Sequence, residues 1–229
     1  METVRTVAEL RARVRAFKGG GAKVGFVPTM GALHEGHLSL VRLAGKRAEK
    51  VVASIFVNPA QFGPDEDFAK YPRTEAADLK LLESAGAALA FLPPVEEIYP
   101  EGFATAVSVP KLSKPLCGIF RPGHFEGVAT VVAKLLNACE ADVAVFGEKD
   151  YQQLLVIRQM AKDLDIPTEI VAGPTYREAD GLAASSRNAY LKPDERAIAR
   201  LLPKTLTTLV RQANEGQDLK DLSKKGRDV

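Results

Sequence analysis

Apolar and polar positions along the chain follow two alternating rhythms. Short apolar runs at 23–27, "VVASIFV" (51–57), "AALAFL" (87–92), "DVAVF" (142–146) and "TEIVA" (168–172) have the length and β-branched content of strands buried on both faces. Between them lie stretches with helical spacing: "HLSLVRLAGKRAEK" (37–50), a segment from an N-cap at Thr74 to a C-cap at Gly86, "FEGVATVVAKLLNAC" (125–139) and "DYQQLLVIRQMAKDL" (150–164). The N-terminal "METVRTVAELRARVRAF" reads as one amphipathic helix that ends at Gly19–Gly21. Strands that alternate with helices predict the α/β class, a doubly wound parallel sheet.

The alternation stops at Gly173–Pro174. Beyond it, residues 192–216 predict a long helix kinked at Pro203, followed by a polar tail that buries little. The expected organisation is therefore a Rossmann-like domain over 1–173 and a short appendage over 174–229.

Composition narrows the function classes. A chain of 229 residues with 46% hydrophobic and 26% charged residues can bury a sizeable core. Its net charge of +2 and lack of like-charge blocks give no electrostatic footprint for nucleic acid. No run approaches the roughly 18 apolar residues of a membrane span. Cys117 and Cys139 form no metal-knuckle pattern and suit a reducing compartment. With a charged N-terminus that lacks a signal-type apolar core, the expectation is a soluble cytoplasmic protein.

In open parallel sheets, ligands bind beyond the carboxyl ends of the strands. Three strand exits carry unusual polar residues: His34 and His37 in "PTMGALHEGH", Asn58 and Gln61 in "NPAQF", and Lys149, Asp150 and Gln153 in "GEKDYQQ". His34-Glu35-Gly36-His37 is one residue short of the zinc-protease spacing, which disfavours zinc even with His124 as a third ligand. A helix N-terminus with two imidazoles suits an anion, while two exposed turn histidines are the plainer alternative. Lys149 is a phosphate-binding charge or a solvated helix-start residue, and Asp150 reads as a helix cap. Ser185, Ser186 and Arg187 in "DGLAASSRN" can donate to phosphate oxygens, or simply form a turn before the last helix. Neither a Walker loop nor a strand-following dinucleotide fingerprint is present.

Taken together, "PTMGALHEGH", "SIFVNPAQF", "YPRT", "RPGHFEGV", "FGEKDYQQ" and "DGLAASSRN" closely resemble the pantoate–beta-alanine ligase family. That family lies within the nucleotidylyltransferase superfamily marked by His-x-Gly-His. The resemblance runs in order to about Leu191. It implies ATP-dependent condensation of (R)-pantoate with β-alanine through a pantoyl adenylate, giving pantothenate, AMP and pyrophosphate. By resemblance His37 is the catalytic histidine, assisted by His34, Lys149 and Arg187. ATP would be held by Met30, Gly31, His34, Gly36 and His37, by Gly147, Glu148, Lys149 and Asp150, and by Tyr176 with Ala184, Ser185, Ser186 and Arg187. Gln61 and Gln153 would bind pantoate, with Gln61 also near β-alanine and Asn58 as a helper. Met30, Val131 and Val132 would supply an apolar wall, although ordinary core is the simpler reading of the two valines. Mg²⁺ would bridge phosphate oxygens, its protein ligands unassigned, and a homodimer is implied.

Family members continue past the last helix into a small lid domain, so the end at Val229 reads as a truncation. Three other functions stay open: nucleotidyl transfer to a phosphorylated acceptor, a metal hydrolase built on His34, His37 and His124, and an idle binding protein.

Overall fold

In the computed structural model the apolar runs become a sheet because each presents side chains to two different layers. The structure describes residues 1–64, 66 and 68–227; Asp65, Asp67, Asp228 and Val229 lie outside the described residues, so the expected end of the appendage at Val229 does too. In chain order the first unit contains β1 (Glu2–Val4), α1 (Val7–Gly19), β2 (Val24–Thr29), α2 (Glu35–Gly45), β3 (Lys50–Ile55), α3 (Glu75–Ser84) and β4 (Leu89–Phe91). Three single-turn helices follow, α4 (Val95–Ile98), α5 (Pro110–Ser113) and α6 (Cys117–Phe120). The unit closes with α7 (His124–Cys139), β5 (Val143–Gly147), α8 (Tyr151–Asp163) and β6 (Glu169–Gly173).

The six strands are wholly parallel, in the order β1-β4-β3-β2-β5-β6. The doubly wound α/β sheet is therefore what forms. From β2 the chain winds outward through β3 and β4, then returns to lay β5 against the other side of β2. The order reverses between β2 and β5, which makes that gap the switch point where such sheets open a crevice.

Alternation along each strand builds two cores. Val24, Phe26, Val52, Leu89, Phe91, Ala144 and Phe146 face a layer of α1, α7 and α8 residues that includes Leu10, Val14, Leu136, Leu154 and Ile157. Val27, Val51, Ala53, Ala90, Val143, Val145 and Val171 face Val41, Ala44 and Leu82 from α2 and α3. Gly25 lets α2 approach: a Cβ there would sit 3.3 Å from those of Ala44 and Ala48.

The N-terminus departs from its sequence reading. Residues 2–4 pair with Leu89–Phe91 as an edge strand, and the helix begins only at Val7, where Thr6 and Glu9 form a reciprocal cap. The helix read at 37–50 stops at Gly45. Thr74 precedes α3, but its hydroxyl bonds the Asp78 carboxylate, 3.1 Å away, rather than capping a backbone N–H.

The second unit, Thr175–Val229, holds α9 (Pro193–Ala199), α10 (Leu201–Asn214) and α11 (Leu219–Arg227). The long helix expected over 192–216 is broken at Arg200. Pro203 sits in the first turn of α10, where its missing N–H costs no helical hydrogen bond, so the chain restarts a helix instead of kinking one. The polar tail buries little, as expected, with Leu222 its one buried residue among those described, although Leu219–Arg227 is helical.

Candidate active site

Three neighbouring strands, β3, β2 and β5, deliver the three polar exits to one edge of the sheet. The first exit leaves β2 at Thr29, whose hydroxyl donates to Ser54 O at 2.7 Å and accepts from Gly31 N–H. Gly31 (φ 80°) and Ala32 (φ 49°) then turn through left-handed backbone. For alanine that conformation costs about 1 kcal/mol or more and needs outside support. Asp78 of α3 supplies it. Its buried carboxylate accepts from Ala32 N–H at 3.0 Å and Leu33 N–H at 2.8 Å. Nothing in "EAADLKLLE" distinguishes Asp78 from an ordinary first-turn acid, and sequence reasoning missed it.

The loop delivers His34 to the N-cap of α2. Its Nδ1 accepts from Gly36 N–H at 3.1 Å, and the Nδ1 of His37 accepts from His34 N–H at 3.3 Å. Both neutral rings thus carry their proton on Nε2. The ring centroids are 4.1 Å apart. Burial, then the neighbouring His34 and the positive charge of Lys149, lower the His37 pKa to about 3. At neutral pH His37 is therefore a hydrogen-bond donor, not a cation. Both imidazoles stand at the start of α2, where the His34 and Gly36 N–H groups are bonded to the rings themselves.

A testable pH dependence follows. The unfolded imidazole titrates near 6.5, whereas the folded one stays neutral to about 3. Between those values the unfolded chain binds the extra proton, so this contribution is intact above pH 6.5 and is lost as pH falls toward 3. Urea unfolding at pH 6.5 and pH 5 should show a loss of about 1–2 kcal/mol that His37→Asn largely removes.

The second exit, from β3, is a 3-10 turn over Pro59–Gln61. Asn58 is 1% exposed, and all four of its amide valences are filled by protein. Its Oδ1 accepts from Ala60 N–H at 3.2 Å and Tyr99 O–H at 2.8 Å, and its Nδ2 donates to Gly127 O at 3.1 Å and Gln61 Oε1 at 3.0 Å. Asn58 thus spends its amide on protein partners and, through one of them, orients Gln61. Because Asn58 donates to Gln61 Oε1, the Gln61 NH₂ points the other way, with Nε2 3.2 Å from Met30 Sδ. Gln61 thus presents a donor beside the β2 exit.

His124 is buried at the start of α7. Its ring bonds Gln61 O at 2.9 Å through Nδ1 and Arg121 Nη1 at 3.0 Å through Nε2. Since Arg121 can only donate, Nδ1 carries the proton. Both nitrogens are thereby engaged, and among the described residues no three His, Cys, Asp or Glu side chains could hold a metal ion. The three-histidine hydrolase loses its ligand set.

Gly127 brings α7 onto this turn; a Cβ there would lie 2.2 Å from Ala60 O and 2.8 Å from Gln61 Cα. Gly127→Ala gains up to about 1 kcal/mol in helix propensity. The backbone clash outweighs that gain, and thermal or urea melts should show a net loss of about 1–3 kcal/mol.

The third exit, from β5, is a 3-10 turn over Glu148–Asp150 leading into α8. Lys149 is exposed and pairs with Asp150 at 3.2 Å. Asp150 stands at the N-cap of α8 but makes no capping bond, so the cap reading fails for its side chain. Gln153 is half-buried in the first turn of α8. Val131 and Val132, each 5% exposed, belong to the core against the sheet.

In the second unit Arg177 and Ala183 pair as an isolated bridge, and Asn188 donates to Glu178 Oε1 and Ala183 O. Arg196 of α9 ties Glu178 and Asp180 together. That frame holds Ala184, whose N–H donates to Tyr176 O at 3.0 Å, and Ser185, whose hydroxyl accepts from Arg187 N–H. The turn before the last helices is thus a built element.

Comparison with known proteins decides between these chemistries. A model of the pantoate–beta-alanine ligase family matches residues 2–228. The chain belongs to that family. It is 60% identical over 219 residues to a pantothenate synthetase from Paramagnetospirillum magneticum, covering 96% of this chain and 77% of the relative. A Caulobacter vibrioides pantothenate synthetase is 59% identical over 218 residues, covering 95% and 76%. Among solved structures, a pantothenate synthetase from Thermus thermophilus superposes with a TM-score of 0.94 at 52% identity, covering all of this chain and 81% of that one. A Francisella tularensis pantoate–beta-alanine ligase, solved with beta-gamma ATP and beta-alanine, gives 0.86 at 36%, covering all of this chain and 85% of that one. The family resemblance and the α/β fold read from the sequence are both borne out. No helix among the described residues is long and apolar enough to cross a membrane.

Proposed function

We propose that this chain condenses (R)-pantoate with β-alanine at the expense of ATP. The observation that carries the reading is the convergence of the His34–His37 loop, Gln61 and Lys149 at the switch point of a sheet belonging to this family. The pantoate carboxylate attacks the α-phosphorus, pyrophosphate leaves, and an acyl adenylate forms. The β-alanine amine then attacks the acyl carbonyl, sheds a proton, and displaces AMP.

Each residue has a physical part in this scheme. The Nε2–H of His37, with that of His34, donates to phosphate oxygens as charge builds on them, and Lys149 adds a positive charge beside it. Met30, Gly31 and Gly36 shape the loop around ATP, while Gly147, Glu148, Lys149 and Asp150 line its ribose and phosphates. In the second unit, the turn over Ser185, Ser186 and Arg187 carries donor groups of the kind that suit phosphate oxygens. The Gln61 NH₂ and Gln153 bind pantoate, and Gln61 also serves β-alanine. Met30 and the residual surface of Val131 and Val132 face the geminal methyls.

Magnesium fits as a companion of the nucleotide. Such ions bind through phosphates and one or two carboxylates, and Asp150 offers an exposed one beside Lys149. Bound there, the ion would neutralise phosphate charge. The working form is a cytoplasmic homodimer.

The test is pyrophosphate release from ATP with and without (R)-pantoate and β-alanine. Release that needs pantoate, and turns over only when β-alanine is present, supports the reading. Binding of ATP and pantoate without release would make the chain an idle binder. Nucleotidyl transfer to a phosphorylated acceptor makes no demand on Gln153, so Gln153→Ala separates the two: the ligase should lose about tenfold or more in kcat/KM for pantoate.

A further inference from the structure

Tyr99 lies just beyond α4, far in sequence from any of the three exits, and the chemistry above does not use it. Its ring packs between Phe56, with centroids 6.2 Å apart, and Phe103, with centroids 5.2 Å apart. A phenylalanine would serve that packing equally well. What distinguishes the tyrosine is its hydroxyl, which donates to Asn58 Oδ1 at 2.8 Å.

The consequence runs through amide geometry. Asn58 has two acceptor sites and two N–H donors, and each meets a complementary partner. With Oδ1 held by Tyr99 and Ala60, Nδ2 must face Gly127 O and Gln61 Oε1. That fixes the second amide, so Gln61 can present only its NH₂ at the β2 exit. Reversing Asn58 would set its NH₂ against the Ala60 N–H and its oxygen against two other oxygens. In this buried setting such mismatches are costly. Partial burial keeps the phenol protonated by pushing its pKa up to about 12, so the donor is present throughout the working range.

We propose that Tyr99 is a positioning residue for the ligase reaction, acting through Asn58 to aim the Gln61 NH₂ at pantoate. This rests on the function proposed above. The polarity it enforces also defines specificity: the site rewards a substrate oxygen opposite Gln61 and penalises a donor there.

The test combines Tyr99→Phe with Gln61→Ala in a double-mutant cycle, following pyrophosphate release. Tyr99→Phe alone should raise the pantoate KM about five- to tenfold, the effect of one lost hydrogen bond to a buried amide, with the ATP KM within about twofold of wild type. In the Gln61→Ala background the same substitution should change the pantoate KM by less than about twofold, because the group it acts through is gone. An equal factor in both backgrounds, or a parallel rise in the ATP KM, would mean a general structural role and overturn the proposal. So would an unchanged pantoate KM in the single variant. If instead the wild-type chain released no pyrophosphate with pantoate, the functional reading itself would fail, a distinct outcome.

Discussion

Replacing His37 by alanine is expected to lower kcat/KM for pantoyl-adenylate formation about 10²- to 10³-fold, the usual cost of deleting one donor aimed at developing charge. The structure sharpens what the substitution removes. His37 is neutral in the folded protein, its Nδ1 occupied by the His34 N–H, so only the Nε2–H is available to a ligand. His37→Gln places an amide N–H near the same point and should recover part of the loss. Single-turnover pyrophosphate release measures both. A cationic role would leave the glutamine variant as dead as the alanine one. The alanine variant should also be more stable than wild type at pH 5 relative to pH 7, since it no longer buries an imidazole that resists protonation.

Asp78→Ala is expected to be the most disruptive single change outside the ligand-contacting residues. It strips the partners from two consecutive backbone N–H groups, those of Ala32 and Leu33, and from the Thr74 hydroxyl. Each orphaned buried donor costs about 1–3 kcal/mol, so a total loss of about 3–5 kcal/mol should appear in urea melts. The left-handed backbone at Ala32 would relax as well, taking His34 off the α2 N-cap. Activity should therefore fall more than stability alone explains, with a raised KM for ATP at temperatures where the variant remains folded. Asp78→Asn should lie between, because one amide oxygen still accepts while the NH₂ opposes the second N–H.

These two residues mark how far the sequence could be read. His34 and His37 were visible because they follow an unbroken apolar run, and a strand's end is a local property. The same holds for Gln61 and Lys149, and for the sheet itself, whose strands are continuous and β-branched. Asp78 was not visible. Its position in the first turn of a helix explains any acid, and its true partners lie 45 and 46 residues upstream. The hydrogen-bond partners of Asn58 were hidden for the same reason. The sequence shows Asn58 only as a polar residue at a strand exit, and the arrival of Tyr99 and Gly127 from distant segments shows where its valences go. β1 escaped because three residues with one buried side chain cannot display an alternation, and its pairing partner lies beyond residue 88. Helix limits failed more gently. Pro203 predicted a disturbance, and the break came three residues earlier, at Arg200, which leaves the proline in a first turn where it is tolerated.

The pairing of β2 with β5 has a consequence for how the molecule is made. Val24 and Asp142, bonded at the start of that pair, are 118 residues apart. A growing chain completes the histidine loop and the Gln61 turn long before it has synthesised the strand that stands opposite them. Contacts of such long sequence separation form late and slowly. Until they do, β2 is an exposed parallel edge with an apolar face, the surface on which nascent chains associate wrongly. Catalytic competence and protection from misassembly should therefore arrive together, in the step that docks β5. Any condition that delays this docking would be seen first as aggregation and only afterwards as lost turnover.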